Sequence, residues 1–215
     1  MNILNEPIPF KHYYREAWPK KMIVGHHTEG DPTGQGSVQW WKTRQEGAGT
    51  VCTPYIIQDD GDVLALYDDK FWSFALGIGS RGQARRVEQS TVHIELASWG
   101  AIEKIGDRFI DNYSRSRIIP ADQVIHYPTA WRMGLEYFQR YTPAAIKTFC
   151  ELVKDISTRH EIPIVFNRFN FFGYQNPDVK LGKPGLYSHA AFRMDKADMH
   201  PQPDLIEALE KAFPG

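Results

Sequence analysis

Apolar residues of this chain fall into short runs separated by turn residues, and two of these runs carry histidine. The first run, residues 22–28, has the sequence Met-Ile-Val-Gly-His-His-Thr. This pattern predicts a buried β-strand. Because side chains alternate along a strand, His26 and His27 point to opposite faces, and only one of them can enter a given site. A His-His-Thr sequence at the end of a strand favours a ligand role for one of the pair.

The second run, residues 91–97, has the sequence Thr-Val-His-Ile-Glu-Leu-Ala and predicts another strand. His93 and Glu95 share one face of this strand, and the apolar residues share the other. A carboxylate flanked by Ile94 and Leu96 is costly to bury without a partner. Glu95 therefore lies either at a solvated edge or in a site that uses it for chemistry, and the pattern leaves both alternatives open.

The remaining pattern predicts one hairpin and three helices. Strands at residues 53–57 and 63–67 flank the sequence Gln-Asp-Asp-Gly-Asp, in which Gly61 supplies the positive φ of the turn. The predicted helices are residues 37–44 with Ser37 as N-cap, a segment from Pro143 to about His160 with Thr142 as N-cap, and the residues after a cap at Asp204.

Three segments lack a regular period. Residues 71–82 and 164–185 are rich in glycine, proline and aromatic residues and predict irregular chain. Residues 100–141 form a long insertion with a predicted hairpin at residues 102–110. Insertions of this kind often wall binding clefts, although the aromatic residues here would serve equally well in a core.

Length and composition fit a single soluble domain. The 215 residues suffice for one sizeable core. We expect one α/β domain over residues 1–215, with a single mixed β-sheet flanked by helices, an N-terminal arm at residues 1–21 and the insertion near a cleft. No apolar run approaches the roughly 18 residues of a membrane span. Residues 1–20 lack the apolar core of a secretory signal, so we expect synthesis in the cytoplasm.

Charge and cysteine content narrow the functional classes further. The formal net charge is −1 and no long basic block is present, which argues against a nucleic-acid partner. Cys52 and Cys150 each lie in an apolar pattern, which favours buried free thiols over a disulfide framework. We expect a monomer without nucleic-acid or membrane partners.

Candidate chemistry is most concentrated near the C-terminus, at residues 187–203. Prolines and an Ala-Ala pair predict a loop, so its side chains can converge on one point. His189, Asp198 and His200 carry the imidazole and carboxylate groups that zinc accepts in a catalytic site with one open position. Such a site needs a further ligand from elsewhere, and a surface loop that merely contains polar residues is an equal alternative.

Taken together, these segments occur in an order that resembles the zinc-dependent N-acetylmuramoyl-L-alanine amidases of the type 2 family. That family shares a fold with peptidoglycan recognition proteins and some phage lysozymes. The resemblance covers about residues 22–203, and four motifs in the right order carry it. They are Ile23-Val-Gly-His-His-Thr28, the Asp-Gly hairpin, His93-Ile-Glu-Leu96, and His189 followed by Lys196-Ala-Asp198 and Pro201.

The resemblance implies one zinc ion held by His26, His189 and Asp198, with Glu95 and Lys196 as catalytic residues. The implied reaction is hydrolysis of the amide between N-acetylmuramic acid and L-alanine, in peptidoglycan or in soluble muropeptides. Zinc polarises a carbonyl and brings the pKa of a water towards ~7. Glu95 would carry a proton from that water to the leaving amine. Lys196 would hold charge near the oxyanion, an effect worth on the order of 3 kcal/mol in comparable sites.

Departures from the family pattern concern the surroundings of the expected ligands. Residues 73–77, Ser-Phe-Ala-Leu-Gly, lack the histidine of the usual Trp-His-Ala-Gly segment. The tyrosine of one phage subgroup falls near Thr53, so the mechanism of that subgroup does not carry over. His93 replaces the common glycine, and we expect it either to line the cleft or to pack beneath a loop. His200 competes with Asp198 as third ligand, and the family spacing from the lysine favours Asp198.

Two other functions are considered from the sequence, a non-catalytic binding module and a metalloprotease. A non-catalytic peptidoglycan-binding module of the same fold would typically lack a ligand, whereas this chain keeps all three, the glutamate and the lysine. A metalloprotease is disfavoured because no His-Glu-x-x-His helix is present. The setting is either a phage endolysin that reaches the cell wall after release or a cytoplasmic recycling enzyme, and the bulky insertion favours the endolysin.

Overall fold

The computed structural model of the chain describes residues 1–44, 51–173 and 176–215. Within these ranges no helix is long and apolar enough to cross a membrane. The strands are β1 Ile3–Asn5, β2 Met22–His27, β3 Tyr55–Ile57, β4 Val63–Ala65, β5 Thr91–Leu96, β6 Ala101–Ile105, β7 Arg108–Asp111, β8 Ile118–Ile119, β9 Val124–His126, β10 Tyr137–Gln139 and β11 Gly185–Ser188. The helices are α1 Gln35–Thr43, α2 Gly82–Gln89, α3 Pro143–Arg159, α4 Arg168–Phe172, α5 Pro177–Leu181 and α6 Pro203–Ala212.

A six-stranded mixed sheet in the order β1-β4-β3-β5-β2-β11 forms the centre of the fold. β2 lies between β5 and β11 and is parallel to both, so that His26 is opposite Glu95 and Gly25 is opposite Ser188. The carboxyl ends of these three strands therefore lie side by side, at the edge where open α/β sheets place their ligands. The predicted α/β class with a central mixed sheet and flanking helices is confirmed.

Helix α3 packs on the central sheet and supplies much of its core. It begins as predicted, with the Thr142 hydroxyl accepting a hydrogen bond from the Ala145 N–H at 3.1 Å. Its apolar stripe is buried, and Phe149 is fully buried, a contribution of about 1.5–3 kcal/mol for a side chain of this size. Glycine at position 25 of β2 suits this packing, because a Cβ atom there would lie 3.1 Å from both Met199 and Phe149, which is closer than most Cβ contacts.

The insertion forms a second sheet of five antiparallel strands in the order β8-β7-β6-β10-β9. The predicted hairpin at residues 102–110 is its β6–β7 pair. Ala101, Ile125 and Phe138 on this sheet pack against Ala197, so the second sheet supports the loop that carries Asp198. The insertion is thus built into the fold next to the chain segment of greatest chemical interest.

Two predicted helix caps are wrong. Helix α1 begins at Gln35 after Gly34, and Ser37 lies inside it, because the Asp31 carboxylate accepts from the Gly36 N–H at 2.8 Å and organises the preceding turn. Helix α6 begins at Pro203 after Gln202, and Asp204 lies in its first turn. Proline is favoured at the first helical position because its missing N–H would have no partner there.

The irregular segments contain more helix than their composition indicated. Residues 71–81 lack helix and strand, as predicted, but α2 begins at Gly82 and leads directly into β5. The segment 164–185 contains the two short helices α4 and α5, and each is capped by the side chain of an asparagine, Asn167 or Asn176. The Asp-Gly hairpin is confirmed as the β3–β4 pair, with Gly61 at φ +91°.

Candidate active site

Three buried side chains converge at the carboxyl ends of β2 and β11. His26 lies near the end of β2, and His189 directly follows β11, the neighbouring parallel strand. Asp198 comes from the loop between β11 and α6. The His26 Nδ1 lies 3.1 Å from the His189 Nδ1, and the Asp198 Oδ2 lies 3.1 Å from the His189 Nδ1 and 3.6 Å from the His26 Nδ1. The three predicted ligands are therefore brought together on one side of the cleft floor.

Distances and donor types fit a zinc ion. Bonds of about 2.0–2.2 Å at tetrahedral angles place ligand atoms about 3.4 Å apart, which matches the three separations. The outer nitrogens of both imidazoles are engaged elsewhere: the His189 Nε2 lies 2.9 Å from the Leu76 carbonyl oxygen, and the His26 Nε2 lies 3.0 Å from the His93 Nδ1. Both Nδ1 atoms thus remain available as electron-pair donors facing the carboxylate.

The electrostatics of the three groups also suit a cation. Burial lowers the pKa of His26 to about 4, which keeps its ring neutral. Burial alone would raise the pKa of Asp198, but His189 and His26 beside it hold this pKa well below its usual range. A neutral imidazole and an ionised carboxylate are the protonation states that a metal ion requires.

Glu95 lies on β5 directly opposite His26 and lines the same cleft. All residues of β5 are buried, because this strand lies between β3 and β2, so the solvated-edge alternative is wrong. Among the described residues the Glu95 Oε2 has no hydrogen-bond partner. Burial, together with the nearby Asp198 charge, raises the pKa of Glu95 well above its usual range. A carboxyl group with a raised pKa at a cleft is suited to proton transfer near neutral pH.

Lys196 is half-buried and lines the cleft together with Glu95 and the three converging groups. The positive charge of Lys196 lowers the pKa of both Glu95 and His26, so its ammonium group interacts electrostatically with each of them. The structure therefore brings all five predicted site residues to one cavity.

His200 lies outside the converging group. Its ring is fully buried and stacks on the rings of Phe138 and Tyr141, with centroids 4.8 Å and 4.5 Å away. Its Nδ1 lies 2.8 Å from the Tyr127 hydroxyl, and its Nε2 lies 3.0 Å from the Gln139 carbonyl oxygen. With both ring nitrogens engaged in the core, His200 anchors the loop, and the geometry favours Asp198 as the third donor.

His93 does not line the cleft, so that part of the expectation is wrong. Its side chain is 1% exposed and lies beneath His26, with ring centroids 5.2 Å apart. Strand alternation placed it correctly on the face of Glu95, but it lies about 7 Å further down the strand, below the floor of the cleft. His27 faces another way, with its Nδ1 3.0 Å from the Tyr141 hydroxyl, as alternation along β2 predicts.

A cleft of about 550 Å³ opens above these groups. Trp40 and Trp41 of α1 line it, as does Trp99 after β5, and the insertion contributes Tyr113, Ser114, Ser116 and Arg117. The buried Asp111 carboxylate shapes this loop by accepting backbone N–H bonds from Ser114, Arg115, Ser116 and Arg117 at 2.6–3.0 Å. Sequence reasoning missed this carboxylate, although Asp followed by a short Ser- and Arg-rich segment is a turn signal.

Comparisons with known proteins agree with the fold and identify a family. Residues 16–201 match the sequence profile of the N-acetylmuramoyl-L-alanine amidase family. Among curated proteins none matches significantly. Similar solved structures include PlyL at 15% identity and TM-score 0.57, covering 100% of this chain and 99% of that chain. The catalytic domain of XlyA matches at 12% and 0.54, covering 99% of each chain, and that of PlyG at 14% and 0.50, covering 89% and 80%. At these identities the likeness shows the fold alone.

Proposed function

This chain belongs to the N-acetylmuramoyl-L-alanine amidase family, and we propose that it hydrolyses the amide between N-acetylmuramic acid and L-alanine with the help of one zinc ion. The observation that carries the proposal is the convergence of His26, His189 and Asp198, with donor atoms 3.1–3.6 Å apart, beside the Glu95 carboxyl group, whose Oε2 has no hydrogen-bond partner among the described residues. The substrate is peptidoglycan or a soluble muropeptide, which the 550 Å³ cleft can accommodate in part.

Each residue would contribute a different part of the reaction. A zinc ion held by His26, His189 and Asp198 would polarise the scissile carbonyl and make a water molecule acidic enough to attack it. Glu95 would take a proton at its carboxylate and deliver it to the leaving nitrogen. Lys196 would place its ammonium group near the oxygen that becomes negative during attack. The amino group of alanine leaves poorly as an anion, so a proton must be delivered to this nitrogen before the C–N bond can break.

The set of groups favours an amide over the glycosidic bonds of the same polymer. A glycosidase places a pair of carboxyl groups on either side of a sugar oxygen. Here the buried carboxylates of the cleft are Glu95 and Asp198, and the second is held among the two histidines. Glu95 is therefore the buried carboxyl group that remains for acid–base work, whereas Glu29 and Asp31 line the cleft at exposed and half-buried positions. This arrangement suits attack of water on a carbonyl.

Product analysis tests this proposal. Purified peptidoglycan or a soluble muropeptide digested with the zinc-loaded protein should yield new alanine N-termini and no new reducing sugar ends. Mass spectrometry should find intact stem peptides that begin with alanine. New reducing ends would identify a glycosidase and shortened stems a peptidase, and either result would overturn the assignment of the bond.

The biological setting is proposed on separate grounds. We favour an endolysin-like role on intact cell walls, because residues 113–117 of the insertion add an exposed wall to an open cleft. A comparison of turnover on intact walls with turnover on soluble anhydro-muropeptides distinguishes the two settings. A strong preference for the soluble substrate would indicate a cytoplasmic recycling enzyme instead.

A further inference from the structure

Beneath the two histidines, a chain of buried polar groups runs from the candidate metal centre into the core. The His26 Nε2 lies 3.0 Å from the His93 Nδ1, and the His93 Nε2 lies 3.8 Å from the Glu88 Oε2. His93 is 1% exposed and the Glu88 side chain is fully buried. A buried carboxylate and a buried imidazole are both costly unless they are satisfied by neighbours, so their alignment behind His26 calls for a physical explanation.

A second branch connects the same carboxylate to the other histidine. Glu88 accepts hydrogen bonds from the backbone N–H groups of Ala75 and Leu76 at 3.1–3.2 Å. The carbonyl oxygen of Leu76 in turn lies 2.9 Å from the His189 Nε2. The outer nitrogens of both histidines thus lead to Glu88, one through the His93 ring and the other through the backbone of Leu76.

This arrangement has one consistent pattern of ring protons. A histidine that offers its Nδ1 to a metal must carry its proton on Nε2. The His26 Nε2–H then donates to the His93 Nδ1, and His93 carries its own proton on Nε2, facing Glu88. The separation of 3.8 Å from Glu88 exceeds a hydrogen bond, and the His93 Nε2 has no other partner among the described residues, so Glu88 is the nearest acceptor recorded for this N–H. The opposite tautomer of His93 would set two N–H groups against each other at His26.

We propose that Glu88 and His93 are positioning residues of the metal centre, holding His26 and His189 with their Nδ1 atoms free and correctly aimed. The inference rests on the proposed zinc site. Residues behind a metal ligand typically change metal affinity by about 10–100-fold when they are removed.

Three substitutions in the full-length protein test the inference. Glu88→Gln keeps the shape of the side chain but turns one acceptor oxygen into an NH₂ donor. This NH₂ group must face either a backbone N–H or the His93 ring N–H, so one of these contacts becomes repulsive. His93→Leu removes the ring nitrogen that accepts from the His26 Nε2–H. Asn has nearly the same shape as Leu, but in His93→Asn its side-chain oxygen restores an acceptor near the position of the His93 Nδ1. His12→Leu is the control, because His12 is a buried histidine of the N-terminal arm outside the converging group.

Two measurements separate positioning from general stability. Zinc affinity by competition with a chelator should fall about 10–100-fold in Glu88→Gln and His93→Leu and recover largely in His93→Asn. The visible spectrum of the cobalt-substituted protein should change in the first two variants, since it reports the geometry of the ligands. Urea unfolding of the metal-free proteins measures the loss of stability alone, and His12→Leu should show that loss with wild-type zinc affinity.

Wild-type zinc affinity and an unchanged cobalt spectrum in both Glu88→Gln and His93→Leu would overturn the inference. If His93→Leu does not fold, Glu88→Gln carries the test, because it preserves side-chain volume. Equal losses of zinc affinity in His93→Leu, His93→Asn and the His12→Leu control would show that the losses come from reduced fold stability. That result would also refute a positioning role. A wild-type protein that binds no zinc would instead refute the proposed metal site, so the two failures are distinguishable.

Discussion

Glu95→Gln is the substitution that most directly tests the proposed chemistry. The amide has nearly the shape of the carboxyl group, but it cannot take up and release a proton. Because the Glu95 Oε2 has no hydrogen-bond partner among the described residues, the exchange breaks no bond at that atom. It also removes a group that burial makes costly to ionise. We therefore expect the free energy of unfolding to stay the same or to rise slightly.

The expected loss of turnover follows from the surroundings of Glu95. General acid–base catalysis contributes about 10²–10⁴-fold, which corresponds to about 2.7–5.4 kcal/mol of barrier. The other buried carboxylate that lines the cleft, Asp198, lies 3.1 Å from His189 and is committed to the donor group. The remaining carboxyl groups of the described lining are the exposed Glu29 and the half-buried Asp31, so no second uncommitted buried carboxyl group can replace Glu95. We expect kcat to fall by about 10³-fold or more.

The assay is release of alanine N-termini from a soluble muropeptide, with zinc content measured on the same samples. Glu136→Gln is the matched control, because Glu136 is exposed on the insertion and its substitution should leave kcat unchanged. Glu95→Gln should retain one zinc per chain. A zinc-loaded Glu95→Gln variant with a rate within about tenfold of wild type would exclude Glu95 from proton transfer.

Three further predictions follow from the same site and from the core. Elemental analysis should find one zinc per chain, and Asp198→Ala should lose it while His200→Ala keeps it; the reverse pattern would make His200 the ligand. Lys196→Ala should bind zinc normally and lose about 10²-fold in kcat, with little change in KM, if it acts on the developing oxyanion. Asp69→Asn should destabilise the protein by about 3 kcal/mol at pH 7, because buried Asp69 accepts two bonds from Arg159. Burial would raise the pKa of Asp69, but its bonded partners hold this pKa well below the value in the unfolded chain. The stability advantage of wild type over Asp69→Asn should therefore be lost progressively as pH falls below about 4, where the unfolded chain begins to bind the proton. Urea unfolding of both proteins at pH 7 and pH 3 measures this loss.

The central part of the fold was predictable because its signals are local. A short apolar run identifies β2 and a period of two identifies β5, and the alternation of side chains along each strand assigns His26 and Glu95 to particular faces. Their direct opposition was not predictable, since register between parallel strands depends on a long crossover connection. The convergence of His189 and Asp198 with His26 came from the order of motifs and its family resemblance, because spacing in the sequence does not bring distant segments together.

The polar groups beneath the site escaped prediction for a physical reason. Glu88 lies in α2, whose other residues are largely polar, and nothing in that pattern marks one glutamate as fully buried. Leu76 contributes through its backbone carbonyl, a role to which its side chain is irrelevant. His93 was assigned to the correct face, but a strand face extends from the solvent edge into the core, and alternation alone gives no depth.

The Asp111 carboxylate has a consequence for how this protein can diversify. Four backbone N–H groups of residues 114–117 donate to it, so the path of this loop is dictated by one side chain and by main-chain atoms. Among the described residues, the side chains of Tyr113 and Arg117 make no hydrogen bond that holds this loop, whereas the Ser116 hydroxyl lies 2.6 Å from the Ser114 hydroxyl within it. Substrate preference can drift through Tyr113 and Arg117, in evolution or in a designed library, while His26, His189, Asp198 and the sheet beneath them stay untouched.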